Sequence, residues 1–516
     1  MSYPRPTLLP FAALVAFVAV AVLVGGARAQ NGFVPQPFSV TEFRDFARLQ
    51  TACAEPGATS FFCDDLEMVL SRLPTKGVDL FFTPAGEVAG AFAKFQKGQR
   101  LTNYNLDNAD NLIPRDASIP GGAVLLDGVY HEPEDASSTW RRLSDEEYEG
   151  LFSYRIAGLE VEKRLVVSNV SHTMQVSLQV RDVGAADAAE PEIVQYAFPG
   201  IGRQQQPTIK IGQSGSFVLN PMVQPFDAPR YVSLQSAANN TGNAIILRPG
   251  PGTDPLQAIS LGDRRVALQT AFDGDVTINV QTYLGKNELV RFYQEGYADL
   301  PGLFTPNILG RMSLWILIAL EFIHSFVPSW GLSIIILTLG FRVLVWPLIT
   351  TQTRSMFGMQ KLQPEMKKLQ TKYKDDREKL SQEMMKLYKD AGVNPAGGCL
   401  PILLQMPLFI ILWRVFVNFE FAEGFLWIPD LGSADPFYIL PALYVAVMLA
   451  QSWYSARGNP TMLRQAMIIN LVFVFIIVNF PAGVLVYFVV SMLVQVFQYW
   501  LLSRGNPPPA PAQAKG

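Results

Sequence analysis

The chain offers few groups suited to catalysis. Its three histidines, His131, His172 and His324, lie far apart in the sequence. We find no Walker A loop, no H-E-x-x-H motif and no G-x-S-x-G motif. We therefore expect no enzyme activity, no metal and no cofactor.

Arg342 is the residue that most needs a chemical explanation. It lies about eleven residues into the apolar segment that starts near Trp330, which at about 1.5 Å per residue puts it about 16 Å deep in a spanning helix. An arginine there costs about 2.5 to 3.5 kcal/mol. Two explanations stay open: the guanidinium faces a water-filled cavity, or its long stem reaches the headgroups near Pro347.

Other polar residues occur within the apolar segments. Thr338 precedes Arg342 by one helical turn, and further helices carry Gln405, Asn470, Asn479, Ser491 and Gln495. These side chains either line the same wet space as Arg342 or join helices by hydrogen bonds.

Six apolar runs cover residues 312–327, 330–349, 400–417, 437–453, 466–480 and 484–502. The last five are predicted transmembrane helices. The first contains Glu321 and His324, so we assign residues 302–329 to an amphipathic helix lying along the membrane interface.

Charge predicts the topology. The segment 351–399 is rich in Lys and Arg and is expected in the cytoplasm, whereas 418–436 has four acidic residues and no Lys or Arg and is expected outside. Within the cytoplasmic segment, apolar residues at helical spacing on both sides of Lys374 predict an antiparallel helical hairpin, with Pro364 in the first turn of its first arm. A solvated charged loop with helical ends is the alternative.

Residues 1–29 are typical of a transmembrane anchor or of a signal peptide cut after Ala29, and either one would export the polar region after it. Residues 30–301 alternate apolar and polar positions between Gly, Pro, Asn and Asp, which predicts a β-sandwich. Segment 39–73 is richer in helix-compatible residues. Cys53 and Cys63 lie in this exported part, and the sequence leaves their pairing open.

The composition excludes nucleic-acid binding as the main function. The net charge is −3 and the pI is near 5.8, without the excess of Lys and Arg that phosphate neutralisation needs. Hydrophobic residues make up 49% of the chain and charged residues 16%, which favours a membrane protein with a separate polar domain.

Several linked motifs resemble the YidC/Oxa1/Alb3 insertase family. The motifs are, in order, WGLSIII at 330–336, Arg342, Pro347-Leu348, SQEMM at 381–385, VNPAGGCLP at 393–401, QMPLF at 405–409 and FPAG at 480–483. In the exported part, residues 78–88 and 198–202 resemble the family's periplasmic β-supersandwich more weakly.

The resemblance implies a polytopic α-helical bundle with a five-helix insertase core, a cytoplasmic helical hairpin, an exported β-sandwich domain and a short cytoplasmic tail at 503–516. It also implies a hydrophilic groove open to the cytoplasm and to lipid, with Arg342 as its positive centre. The implied groove residues are Arg342, Thr338, Gln405 and Asn470. Apolar segments would slide past Met406, Pro407 and Phe409, with Thr338, Tyr487 and Phe488 as further substrate contacts.

The implied partners are nascent membrane proteins, membrane lipids and the Sec translocon, and the implied location is the bacterial inner membrane, with the large domain periplasmic. Ribosome binding through the tail is doubtful, because the tail carries only Arg504 and Lys515. Phe488 lacks the hydroxyl that some relatives have at this position.

Two other functional classes remain alternatives. A secondary transporter or channel would use Arg342 to bind an anionic solute, but we find no inverted repeats. An exported sugar-binding sandwich on a membrane anchor would leave Arg342 without a role.

Overall fold

The computed structural model describes residues 33–94, 99–184, 191–202, 207–236, 242–262, 264–374, 376–392, 400–421, 423–455 and 477–505. The contacts divide the chain into a β-rich unit, Gln30–Gly310, and a helical unit that contains Arg311–Gly516. Each unit is described by itself.

Three antiparallel sheets make up the β-rich unit. The four-stranded sheet has the order β1-β2-β3-β4, with β1 Gln36–Ser39, β2 Val69–Pro74, β3 Val78–Phe82 and β4 Val88–Ala93. The six-stranded sheet has the order β14-β17-β18-β11-β5-β6, with β5 Ala123–Leu126, β6 Val129–Tyr130, β11 Ile193–Phe198, β14 Pro225–Asp227, β17 Gln257–Gly262 and β18 Arg265–Ala271.

The nine-stranded sheet has the order β13-β12-β15-β16-β19-β10-β9-β8-β7. Its strands are β7 Glu134–Ser144, β8 Glu147–Ile156, β9 Leu159–Ser168, β10 Thr173–Arg181, β12 Thr208–Gln213, β13 Ser216–Leu219, β15 Tyr231–Gln235, β16 Asn243–Pro249 and β19 Asp275–Lys286.

Alternation along the strands builds the main core. In β10, Met174, Val176, Leu178 and Val180 are buried and the residues between them are not. Successive strand side chains point to opposite faces, so one face of the sheet becomes apolar. That face shares its hydrophobic cluster with residues of β5, β11 and β18 from the six-stranded sheet. The large β-sheet domain agrees with the prediction from sequence.

The segment 39–73 is less helical than its composition suggested. Only one α-helix, α1 Phe46–Cys53, lies in it, together with two short 3-10 turns, and β2 occupies its end. Cys53 and Cys63 form a disulfide, with their Cα atoms 5.2 Å apart. The pairing that the sequence left open is therefore present.

The second helix of this unit, α2 Leu289–Gln294, is fixed by buried polar contacts. Arg291 is 1% exposed, and its Nη1 lies 3.0 Å from Nε2 of His172. Glu295, just after the helix, accepts hydrogen bonds from the backbone N–H of His172 at 2.7 Å and from the Ser171 hydroxyl at 2.6 Å. Several bonds thus hold the end of the β-rich unit against β10 and the turn before it.

The described helices of the second unit are α3 Ile308–Phe326, which begins at the boundary, α4 Trp330–Lys372, α5 Arg377–Asp390, α6 Leu400–Asn418, α7 Ile439–Ser455 and α8 Ala482–Gly505. By length and composition, 308–326, 330–355 and 482–504 could cross a membrane, and α6 and α7 contain shorter apolar stretches. The predicted span 466–480 lies almost entirely outside the described residues, and the interfacial position of α3 stays a prediction.

The helix α4 runs without a break through residue 350, where we expected one domain to end, and through Pro347 and Pro364. The prediction that Pro364 lies in a first helical turn is therefore wrong. The turn near Lys374 is present, and Asp376 caps α5 by accepting the Lys379 N–H at 3.0 Å. The Tyr388 hydroxyl then meets the sulfur of Met366 at 3.6 Å, so α5 folds back on α4.

Candidate functional site

Arg342 lies on the buried face of α4. Its side chain shares this face with Ile334 and Thr338, two turns and one turn earlier, and Ile334, Thr338 and Arg342 are 1%, 2% and 7% exposed. The next residues, Val343 and Leu344, are 71% and 75% exposed and mark the outward face. The guanidinium is therefore directed into the bundle rather than along the outer surface of α4.

The guanidinium of Arg342 has no hydrogen-bond or ion-pair partner among the described residues. Its nitrogens, which have no partner in the described part of the chain, are not fully enclosed by the protein. They therefore keep some accessible surface. The Tyr487 hydroxyl on α8 lies within electrostatic range of this cation.

Tyr487 connects Arg342 to a third helix. The side-chain amide of Gln405 on α6 donates to the Tyr487 hydroxyl at 2.6 Å. We call Arg342, Gln405 and Tyr487 the polar group. The polar group brings together α4, α6 and α8. Gln405 on α6 and Tyr487 on α8 are 82 residues apart in the sequence.

Further polar residues continue along the buried face of α8. Ser491 and Gln498 are 2% and 1% exposed, and they follow Tyr487 by one and three turns. The Gln498 amide donates to the Trp346 carbonyl at 3.1 Å and to the Thr350 hydroxyl at 2.9 Å. These bonds tie α8 to α4 beside Pro347, where the helix lacks one backbone donor.

An aromatic group lies beside the polar group. The Phe409 ring stacks on Phe480 and Phe488, with centroids 5.6 and 5.7 Å away. Trp413 packs against Phe480 at 4.8 Å, and Tyr444 on α7 packs against Phe488 at 5.6 Å. These five residues, Phe409, Trp413, Tyr444, Phe480 and Phe488, form a connected aromatic cluster between α6, α7 and α8.

Met406 and Pro407 stand apart from the aromatic group. Met406 is 50% exposed and Pro407 is exposed, although both belong to the same helix as Phe409. The thioether of an exposed methionine adapts to apolar partners of different shape. This side of α6 is therefore suited to contact lipid or a passing apolar segment.

Residues 419–438 fold into a cap over one end of the bundle. Phe419 and Phe421 pack edge-on against Trp330, and a Cβ at Gly331 would overlap the Phe425 ring. The loop is also bonded to the start of α8, since Ala482 N–H donates to the Ser433 carbonyl at 2.7 Å.

Asp435 holds the cap in place. It is 1% exposed and accepts the Trp427 indole N–H at 3.0 Å and the Leu440 N–H at 2.7 Å, at the start of α7. A carboxylate at a helix start is stabilised by the free N–H groups there. The buried side chains and bonds close this end of the described bundle.

The structure brings together only some of the predicted site residues. Arg342, Gln405, Tyr487, Phe409 and Phe488 form one connected set, whereas the Thr338 hydroxyl donates to the Ile334 carbonyl of its own helix at 2.6 Å. Asn470 and the motif at 393–399 lie outside the described residues. The roles assigned to these residues stay predictions.

Gln498 was missed by the sequence analysis, although it lies seven residues after Ser491 and thus on the same face of α8. Gln352 was missed too: it is 3% exposed and both polar atoms of its amide are buried without a partner. Within the described part of the chain, no group of three or more His, Cys, Asp and Glu residues could hold a metal ion.

A family model described as the 60Kd inner membrane protein matches residues 322–508. The membrane protein insertase YidC of Deinococcus radiodurans is 35% identical over 364 residues, which cover 69% of this chain and 82% of that protein. The YidC insertase of Aquifex aeolicus is 36% identical over 250 residues, covering 48% of each chain.

The chain is also similar to a solved protein, an active YidC insertase crystallised with its first transmembrane domain resolved. The identity is 19%, the TM-score is 0.49, and the match covers 83% of this chain and 91% of that one. The sequence match to the Deinococcus protein spans most of both chains, including part of the exported domain, and with it the prediction from sequence is confirmed: this chain belongs to the YidC family of membrane protein insertases.

Proposed function

We propose that the chain takes hydrophobic segments of new membrane proteins into a hydrophilic groove open to the cytoplasm and to lipid, and releases them into the bilayer. The observation that carries this proposal is the Arg342 guanidinium, which is directed into the bundle without a carboxylate partner among the described residues. A cation at this depth is stable only where water or a partner solvates it. An acidic substrate tail would supply that partner.

The polar group would receive the hydrophilic part of a substrate. The Tyr487 hydroxyl, the Gln405 amide and the guanidinium can replace some of the hydrogen bonds that a substrate loses on leaving water. Thr338 and Asn470 are proposed to line the same groove. This lowers the cost of carrying a polar tail partway through hydrocarbon.

The aromatic group would guide the apolar part. Phe409 and Phe488 lie beside Tyr487 of the polar group, and Met406 and Pro407 are exposed on the same helix as Phe409. An apolar segment sliding along this surface gains about 25 cal/mol for each Å² removed from water. Movement toward lipid is therefore favourable without a covalent step or a cofactor.

The cap supports a groove that is closed on one side. The buried Asp435 and the packed rings around Trp330 support closure of the cap-side end, as far as the described residues form it. We place this end outside, because residues 418–436 are acidic and the Lys- and Arg-rich segment 351–399 lies at the other end of α4.

The proposed architecture is a five-helix core built from the predicted spans 330–350, 400–417, 437–453, 466–480 and 484–502, together with the N-terminal anchor or signal peptide, the interfacial α3 and the cytoplasmic hairpin. We propose the bacterial inner membrane as the location, the periplasm as the side of the β-rich unit, and nascent membrane proteins and lipids as partners. Cooperation with the Sec translocon and contact with the ribosome are parts of the proposal. Membership in the insertase family favours this function over the transporter alternative.

The test is rescue of cells depleted of their own insertase, scored by insertion of a small membrane protein with an acidic exported tail. We expect the parent chain to restore insertion. Arg342→Ala should reduce insertion of the acidic-tailed substrate at least tenfold, and insertion of the same substrate with a neutral tail by less than twofold.

Arg354→Ala is the matched control, because Arg354 is an exposed arginine three turns further along α4. It should insert both substrates normally. If the parent fails to rescue, the insertase proposal is wrong for this chain. If Arg342→Ala inserts the acidic-tailed substrate as well as Arg354→Ala does, only the role of Arg342 is wrong.

A further inference from the structure

The β-rich unit carries an apolar patch at one edge. Phe217 and Leu219 on β13 are 45% and 54% exposed, and Met222 and Val223 in the following turn are 78% and 65% exposed. Phe217 and Leu219 are two residues apart on a strand and therefore face the same side. We call these four residues the edge patch.

The edge patch lacks the usual protection of a sheet edge. β13 is the last strand of the nine-stranded sheet, and β14, which comes after the patch, is the last strand of the six-stranded sheet. Soluble proteins guard such edges with charged residues, yet no Asp, Glu, Lys, Arg or His occurs from Ile211 to Phe226. Exposed apolar residues grouped along one strand and the turn after it often mark an interaction site.

The patch adjoins the point where the chain leaves the unit. A Cβ at Gly302 would overlap the Phe217 ring, so the exit segment passes directly against β13. Lys210 fixes this segment by donating to the carbonyls of Gly302 and Leu303 at 2.9 and 3.0 Å. The Tyr231 hydroxyl donates to the Pro301 carbonyl at 2.6 Å.

The exit segment reaches an apolar helix within a few residues. Gly302 and the start of α3 at Ile308 are six residues apart, at most about 20 Å of extended chain. Gly310, the last residue of the β-rich unit, packs beside Leu289 of the same unit, since a Cβ at Gly310 would lie 3.4 Å from Cδ2 of Leu289. Whether α3 spans the bilayer or lies along it, its first turn belongs near the lipid headgroups.

We propose that the edge patch inserts into the lipid interface of the outer leaflet. The tether is short and fixed, the patch is next to it, and the patch is apolar and uncharged, which suits the boundary between headgroups and acyl chains better than a charged protein surface. Lipid contact would also cover the open edge of β13. This goes beyond the insertase function and does not depend on the groove.

The test uses the full chain with Cys399→Ala, reconstituted in vesicles of phosphatidylethanolamine and phosphatidylglycerol. Met222→Cys and, separately, Val223→Cys carry a nitroxide, and the two disulfide-bonded cysteines remain unlabelled. Collision rates are measured with oxygen, which partitions into lipid, and with a water-soluble nickel chelate. We expect the ratio of oxygen to nickel collisions at both sites to be at least threefold higher than at the control site.

Leu151→Cys is the matched control, because Leu151 is 43% exposed on β8, near the opposite end of the same sheet. Equal ratios at the patch and at Leu151 would overturn the proposal. Protection of the patch labels from both oxygen and nickel would also overturn it, because that result indicates contact with protein, including a second copy of the chain. The insertion assay plays no part in this measurement.

Discussion

In the β-rich unit the Asp79 carboxylate is 1% exposed, lies 2.7 Å from Nζ of Lys94 and accepts the Tyr104 hydroxyl at 2.5 Å. In the helical unit the Arg342 guanidinium is 7% exposed and has no carboxylate beside it among the described residues. The two regions therefore bury charge under opposite conditions. One charge is neutralised within the fold, and the other has no counter-charge in the described part of the chain.

A second buried carboxylate of the β-rich unit is paired with cations, as Asp79 is. Glu149, whose side chain is 2% exposed, lies 2.5 Å from Arg141 and 2.6 Å from Arg164. A buried pair balances much of the cost of removing both charges from water, while a lone charge does not. Pairing thus indicates a structural role, and its absence at Arg342 supports a functional one.

Removing the buried carboxylate of Asp79 should give the largest effect on stability. Asp79→Ala leaves Lys94 buried without its counter-charge, so we expect the free energy of unfolding of the β-rich unit to fall by about 3 to 5 kcal/mol. Urea unfolding of the full chain in detergent, followed by pulse proteolysis of the β-rich unit, measures this. Asp145→Ala removes the exposed pair with Arg142 and should cost less than about 0.5 kcal/mol. Equal losses of stability in Asp79→Ala and Asp145→Ala would contradict the claim that the buried pair stabilises the fold more than the exposed pair.

A second prediction uses pH on a buried cation of the β-rich unit. Burial lowers the pKa of Lys163 to about 8 from 10.5, and its ammonium donates to the Gly122 carbonyl at 2.9 Å. Between these two pKa values the unfolded chain binds more protons than the folded chain, so stability rises with pH. We expect a gain of about 1 to 2 kcal/mol from pH 8 to pH 9.5.

Lys163→Met should remove this rise in stability with pH, because methionine has no amine that can gain or lose a proton. The same urea titration at pH 8 and pH 9.5 checks it. Unfolded tyrosines begin to ionise at about pH 9.5, whereas burial raises the pKa of Tyr154 and Tyr196 in the folded state, so tyrosines oppose part of the rise. Lys163→Met keeps these tyrosines, so the difference between the parent and the variant reports the lysine alone. A rise that persists in Lys163→Met would show that another group causes it.

Much of the β-rich unit was predictable because two-residue alternation reports which face is buried. β10 shows it clearly, and β19 repeats it with Val276, Ile278 and Val280. The edge strand β7 was not predictable in this way, since almost all of its residues are exposed. The early strands β1 and β2 were hidden as well, because they are short and flank helix-compatible residues.

The site was predictable only in part. Arg342 is conspicuous in sequence, because a charged residue inside an apolar run is costly and rare. The bond from Gln405 to Tyr487 joins residues 82 positions apart, and no local pattern indicates it. Gln498 was overlooked because a single glutamine near a helix end is typical of a surface residue until its bonds to Trp346 and Thr350 are seen.

The smallest expected effect sharpens the contrast from the other side. Arg342→Met replaces a buried cation that has no charged partner among the described residues with an apolar side chain of similar length. No described counter-charge is stranded, and the cost of desolvating the guanidinium disappears. We expect the midpoint of thermal unfolding of the helical unit in detergent to stay within about 2 °C of the parent value or to rise. The free energy of unfolding should change by less than about 0.5 kcal/mol. Insertion of acidic-tailed substrates should fall in the same variant. A marked loss of stability would mean that Arg342 is held by a structural partner. Arg342 would then be a paired buried charge, as Asp79 is.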